Sequence, residues 1–177
     1  MPSGRSHDAI TFLLTLPSFA AAYAVTRDFQ ASAVITSAFL FGGLMFGPDL
    51  DTVSRQYSRW SVFRFLWLPY RSFFKHRSRF SHGLVFGAFI RVVYFLGGVT
   101  LTAFLVSFAS VTYAGGKLPG IFEFARVWQP IGQYTHDHFG PNFLILVFVG
   151  LWIGAASHTF TDMAGSFIKT GRIAKFL

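Results

Sequence analysis

The chain contains no cysteine, and that one absence removes disulfides, thiolate metal sites and cysteine nucleophiles together. Charge is scarce as well: Asp, Glu, Lys and Arg make up 12% of residues, half of the ~25% usual in soluble domains. Only seven residues are acidic against fifteen basic, which leaves a formal net charge of +8. Neither an internal repeat nor a low-complexity tract is present. What fills the space is apolar. Hydrophobic residues reach 53% and aromatics 19% of the 177 residues, with 24 phenylalanines. A soluble fold of this length cannot bury so much apolar surface, so most of it must meet lipid or other helices. A soluble globular enzyme is excluded. The positive charge alone would admit a nucleic-acid partner, but the placement of the basic residues favours anionic membrane lipid and no nucleic acid.

Long apolar runs predict an all-α, polytopic membrane bundle of about four transmembrane helices, forming one domain over residues 1–177. The runs are Ala9 to Val25, Ala31 to Phe46, Leu84 to Val106 and Asn142 to Ser157. Three lie near the ~17-residue lower limit for a span and are expected to extend into polar flanks or thin the bilayer. The first run has no basic leader followed by a small-residue cleavage site, and a second span follows at once, so it reads as retained. The rival reading is a soluble helical bundle with a greasy core. A linker of only Thr26 to Gln30 between the first two runs, and a third run of 23 residues with one charge, argue against it.

Orientation follows from Lys and Arg. Four spans put residues 1–8, 47–83 and 158–177 on the side of the first residue, here termed the near face. That face carries eleven basic residues, from Arg5 through the Arg55 to Arg79 group to Lys175, against Arg27, Lys117 and Arg126 on the far face. The positive-inside rule predicts both termini and a basic, aromatic loop at about 52–82 in the cytoplasm.

The near face also collects the acids and most of the histidines. Its four carboxylates, Asp8, Asp49, Asp51 and Asp162, each lie within a few residues of a span end. His7, His76, His82 and His158 fall at the same level. A merely solvated face would scatter its acids among the basic residues, and this one does not. The spacings suit metal ligands. Asp49-Leu50-Asp51 follows Pro48 and is expected to run extended, so both carboxylates would face one site. His158 and Asp162 stand at i and i+4, on one face if the helix continues through them. Asp8 is expected to cap the first helix and leave His7 to ligate. The predicted ligands are His7, Asp49, Asp51, His76, His82, His158 and Asp162. Imidazole with carboxylate and no thiolate favours Zn²⁺, with Mn²⁺ or Fe as alternatives, and so many donors admit one or two ions. Each motif alone has a bland reading, as an interfacial His or a helix-end Asp. Their convergence on one face carries the expectation.

Ser3-Gly-Arg-Ser-His7-Asp8, Pro48-Asp-Leu-Asp51, His76-Arg-Ser-Arg-Phe-Ser-His82-Gly83 and Ser157-His-Thr-Phe-Thr-Asp162-Met163 together resemble a family of small bacterial membrane proteins, common in cyanobacteria, classed as metal-binding and of unknown function. The resemblance runs from Met1 to about Gly165. The chain is also similar to the YdjM-like membrane-bound metal-dependent hydrolases, more distantly grouped with zinc-dependent phospholipase C. The His76 to His82 interval is one residue longer than in YdjM-like proteins, and Ser81 replaces Thr. The resemblance implies metal binding directly, catalysis by analogy, and a bacterial inner membrane or a thylakoid as location.

Other features are less specific. From Tyr57 to Arg79, Arg and Lys alternate with Trp, Phe and Tyr, which suits either a segment lying on anionic headgroups or an ordinary aromatic belt. Arg91 lies seven residues into the third span and either snorkels or points into the bundle. His136-Asp137-His138 reads as far-side loop surface. The leading expectation is a metal-dependent hydrolase of a phosphoester or lipid headgroup at the cytoplasmic face. Asp8 or Asp51 would act as general base, and Arg77, Arg79 or Arg91 would neutralise the phosphate. A non-catalytic membrane anchor with a structural metal is the alternative. A transporter ranks last, because the carboxylates sit at span ends rather than at mid-bilayer.

Overall fold

The computed structural model describes residues 4–74, 83–116 and 120–171. The described residues are helical, with no strand among them. Seven α-helices follow in order: α1 Gly4–Thr26, α2 Phe29–Met45, α3 Arg55–Arg59, α4 Leu68–Phe73, α5 Phe86–Tyr113, α6 Ile121–Phe139 and α7 Phe143–Thr170. Two 3₁₀ segments, Pro48–Asp51 and Ser61–Trp67, link the short helices. The helices α1, α5 and α7 are long and apolar enough to cross a membrane, while α2, equally apolar, has only 17 residues. At the usual rise, that length is about 25 Å, a little under the hydrocarbon thickness.

The short helix is the hub. It packs along α1 on one side and α7 on the other. The hairpin between α1 and α2 is closed by Asp28, whose carboxylate accepts from Ala31 N at 2.7 Å as the N-cap of α2. Against α7 the approach is backbone to backbone. A Cβ at Gly154 would stand 2.1 Å from Phe39 O, one at Gly150 2.4 Å from Ile35 O, and one at Gly42 2.4 Å from Leu151 O. Lipid is as apolar as leucine, so helices in it gain by close packing of small residues rather than by hydrophobic exclusion. The Gly150-Leu-Trp-Ile-Gly154 spacing supplies that contact surface.

The near-face end of α2 has a second task. A helix leaves its last four carbonyls without intrahelical partners, and near lipid such groups are costly. Here each accepts from a side chain elsewhere in the chain: Gly43 O from Gln56 Nε2 (3.3 Å), Leu44 O from Arg59 Nη1 (2.8 Å), Met45 O from Trp60 Nε1 (3.2 Å) and Phe46 O from Arg91 Nε (2.8 Å). The two guanidiniums also meet the negative end of the helix dipole. The segment after Pro48 is therefore folded back over α2 as a cap. Its aromatic residues do not all lie at the membrane surface, as either reading of the sequence, an interfacial segment or an aromatic belt, would have them. Tyr57, Trp60, Trp67 and Tyr70 are buried with Phe46 in one aromatic core, against which half-buried Phe95 packs, whereas Phe63, Phe65 and Phe73 are exposed.

Three further expectations are corrected. Pro48–Asp51 is a 3₁₀ turn rather than extended, so the alternate-residue geometry expected to aim Asp49 and Asp51 at one site does not apply. The helix of His7 begins at Gly4, so Asp8 lies inside it and does not cap it. His136-Asp137-His138 sits in the last turns of α6 rather than in a loop.

Candidate metal centre

His7 occupies the second turn of α1, with its side chain 4% exposed. Successive helix residues turn by about 100°, so neighbouring His7 and Asp8 face different partners. His7 turns inward to α7. Asp8 turns to α3, where its carboxylate pairs with Arg59 and, at 3.6 Å, with Arg55. On α7, which runs unbroken to Thr170, His158 and Asp162 share one face as their spacing predicts and are both buried.

These three residues meet. The rings of His7 and His158 stack with centroids 3.7 Å apart and planes 8° from parallel. His7 Nε2 stands 3.1 Å from Asp162 Oδ1, and His158 Nδ1 stands 3.8 Å from Asp162 Oδ2. One ligand atom from each residue can be chosen so that all three lie within 4.8 Å of one another. Ligand atoms around a tetrahedral ion with bonds of ~2.0–2.1 Å stand about 3.3 Å apart, so the donors need only a small inward adjustment. Buried His7 Nδ1 has no hydrogen-bond partner among the described residues, an arrangement that is costly for a polar atom without a ligand. Two imidazoles and a carboxylate, dry and convergent, fit a divalent transition-metal ion.

The remaining predicted residues fall around this cluster or outside the described residues. Asp51 is buried at the end of the 3₁₀ turn, which touches α7, and Asp49 is half-buried. Neither belongs to the three-residue group. Arg91 does not snorkel. It is fully buried, holds Phe46 O, and lies beside Tyr70 within electrostatic reach of Asp51 and Asp49. Burial raises the Tyr70 phenol above its ordinary 10.0, and the neighbouring Arg91 charge opposes that rise. His76, Arg77, Arg79 and His82 lie outside the described residues.

Sequence reasoning missed the ion pairs of Arg55 and Arg59 with Asp8 and the glycine crossing of α2 with α7. Only the second left a local signal, the Gly-x-x-x-Gly spacing. A family model described as uncharacterized metal-binding protein (DUF2227) matches residues 2–172. The chain belongs to that family. No curated protein and no solved structure matches it.

Proposed function

We propose that this member of the metal-binding family is a metal-dependent hydrolase that acts on a phosphoester, or on a lipid headgroup, at the cytoplasmic face of the membrane. The observation that carries the reading is the buried His7–His158–Asp162 cluster at the near-face ends of two long apolar helices. Two imidazoles and one carboxylate also match the ligand set of hydrolytic zinc sites. Zinc is the proposed metal, ahead of manganese and iron, and His76 and His82, which precede α5 in the sequence, are proposed to add donors. The likeness to YdjM-like hydrolases supports the same chemistry by analogy.

A divalent ion at this cluster would supply Lewis acidity, polarising a phosphoryl oxygen and lowering the pKa of a water. The chain's own residues divide the remaining work. His7, His158 and Asp162 hold the ion. Asp51 is assigned the proton transfer, because the Asp8 carboxylate is already engaged by two guanidiniums and faces away from His7. Arg77 is assigned the phosphate oxygens, for which a planar fork is suited. Arg91, with Nε committed to Phe46 O, is assigned to holding the turn that carries Asp49 and Asp51.

A second reading has its own support: the cluster joins α1 to α7, so a metal there would also tie two helices together. Metal analysis followed by a screen of phospholipids and generic phosphodiesters, with Zn²⁺ and Mn²⁺ each supplied, separates the two. Hydrolysis that disappears in Asp162→Asn, and falls in Arg77→Ala while metal content holds, is expected. Fully metallated protein that stays inert, while chelation lowers its melting temperature, would establish the structural role instead.

A further inference from the structure

On the outer side of α2, away from α7, an open groove of about 480 Å³ is lined by Phe12 of α1, by Ser37, Leu40, Phe41, Leu44 and Met45 of α2, and by Arg59. Among the described residues its walls are hydrocarbon apart from Ser37, with Arg59 as the one charged residue in the lining. From Leu44 to Ser37 the groove descends about 10 Å along the span, by the helical rise. A second apolar hollow shares Ser37 and Phe41 and continues towards Phe139 and Phe143 at the far end. In a bilayer crossed by α1 and α7, a surface at this depth would face acyl chains, with the cation at the level where headgroups begin.

Among the described residues, Arg55 and Arg59 share one carboxylate, Asp8, which leaves one positive charge over at the mouth. The Arg55 side chain is 52% exposed. Its stem lies along the first turn of α1, within 3.6 Å of where a Cβ of Gly4 would stand. Next along that turn is the exposed Arg5. We propose that this groove is a binding site for one anionic phospholipid, its phosphate on Arg55 and Arg59 and one acyl chain along Phe12, Leu40 and Leu44. A zwitterionic lipid would bring its own cation to a cationic mouth. A neutral hydrophobic occupant would leave the surplus charge without a counterion. Guanidinium and phosphate match in charge and in forked geometry. The site does not depend on hydrolysis, since Asp8 and His7 point to different sides of α1.

Native mass spectrometry of delipidated full-length protein, given equimolar phosphatidylglycerol and phosphatidylcholine, tests it. One phosphatidylglycerol should be retained in preference by about tenfold, because the choline ammonium of phosphatidylcholine meets a cationic mouth and the glycerol headgroup does not. Arg55→Gln should bring that preference close to one, with Arg59 left in place to hold Leu44 O. Ser37→Phe, which fills the groove from an exposed position, should remove the retained lipid of either kind. Leu101→Phe, on the exposed surface of α5, should change nothing. Metal content, read on the same samples, should be equal in all four proteins. Equal retention of the two lipids by wild type, or unchanged retention in both groove variants, would reduce the lipid to an annular one and overturn the proposal. So would a dimer that is lost in Ser37→Phe, because a second copy would then occupy the groove. Loss of hydrolysis with the lipid preference intact would count against the enzyme and leave this site standing.

Discussion

At the residue scale, adjacency in sequence says little about shared chemistry on a helix. His7 and Asp8 are neighbours, yet one enters the metal cluster and the other an ion pair with Arg59. Removing a donor should therefore act selectively. His158→Ala and Asp162→Asn are expected to weaken metal binding by more than the roughly 10- to 100-fold that outer partners of a metal site are worth. Asp137→Asn, in an exposed pair with His136, should leave metal content unchanged. Elemental analysis of purified protein decides this, and metal retained at full stoichiometry in His158→Ala would remove that residue from the site. Tyr70 offers a separate test through pH. Burial raises its pKa in the folded state, so folding is undisturbed by this group below the ordinary value of 10.0. Above that value the unfolded chain loses the phenolic proton first, and stability falls as pH climbs towards the raised value. Melting temperatures between about pH 9 and 11.5 should fall less steeply in Tyr70→Phe than in wild type.

At the scale of elements, α2 is where the bundle is decided. Its last four carbonyls are each met by a side chain that sequence reasoning had assigned to topology, to the interface, to a substrate phosphate (Arg91) or to nothing. Gln56→Leu should cost about 1–3 kcal/mol, the penalty for a buried acceptor left unmet. Arg91→Met should cost more, about 3–5 kcal/mol, because it also leaves buried Asp51 without its nearby cation. Thermal or denaturant unfolding in detergent measures both, and an Arg91→Met protein as stable as wild type would mean that the cap is dispensable. The glycine crossing makes the opposite kind of demand, for space. Gly154→Val places carbon where Phe39 O already stands, so α2 and α7 must separate, at a cost of at least the ~1–3 kcal/mol of ordinary overpacking. Gly97→Ala meets nothing within 4 Å and should be neutral, or stabilising by up to about 1 kcal/mol through helix propensity.

At the scale of the whole molecule, the architecture is asymmetric. The near-face half of α5 packs on the bundle, with Ala88, Arg91 and Val92 buried, while most of its remaining length is exposed to the surroundings. The amphipathic helix α6 follows at the far end, tied there by Gln30 Nε2 donating to His138 O at 3.2 Å. With α1, α2, α5 and α7 counted as spans, the two ends of the chain should lie on one side of the membrane and residue 116 on the other. Reporter fusions before Met1, at Gly116 and after Leu177 check this, and opposite sides for the two ends would mean that α2 does not cross.

What the sequence determined by itself is what depends on composition and local period. Long apolar runs dictate helices in lipid because no other unclosed structure satisfies its own backbone there. The i, i+4 spacing of His158 and Asp162 dictates a shared face once the helix runs through them. The tertiary structure decided which distant groups meet. That His7 stacks on His158, that Asp8 goes to Arg59, and that Arg91 reaches Phe46 O depend on how α1, α5 and the cap are placed around α2. Those placements are set by packing of helix against helix, a property of pairs of surfaces that no single stretch of sequence contains. The turn at Pro48–Asp51 was likewise settled by what surrounds it. Leu50 is fully buried between its two acids, and the burial of that side chain favours a compact turn over the extended strand that the residue types alone allowed.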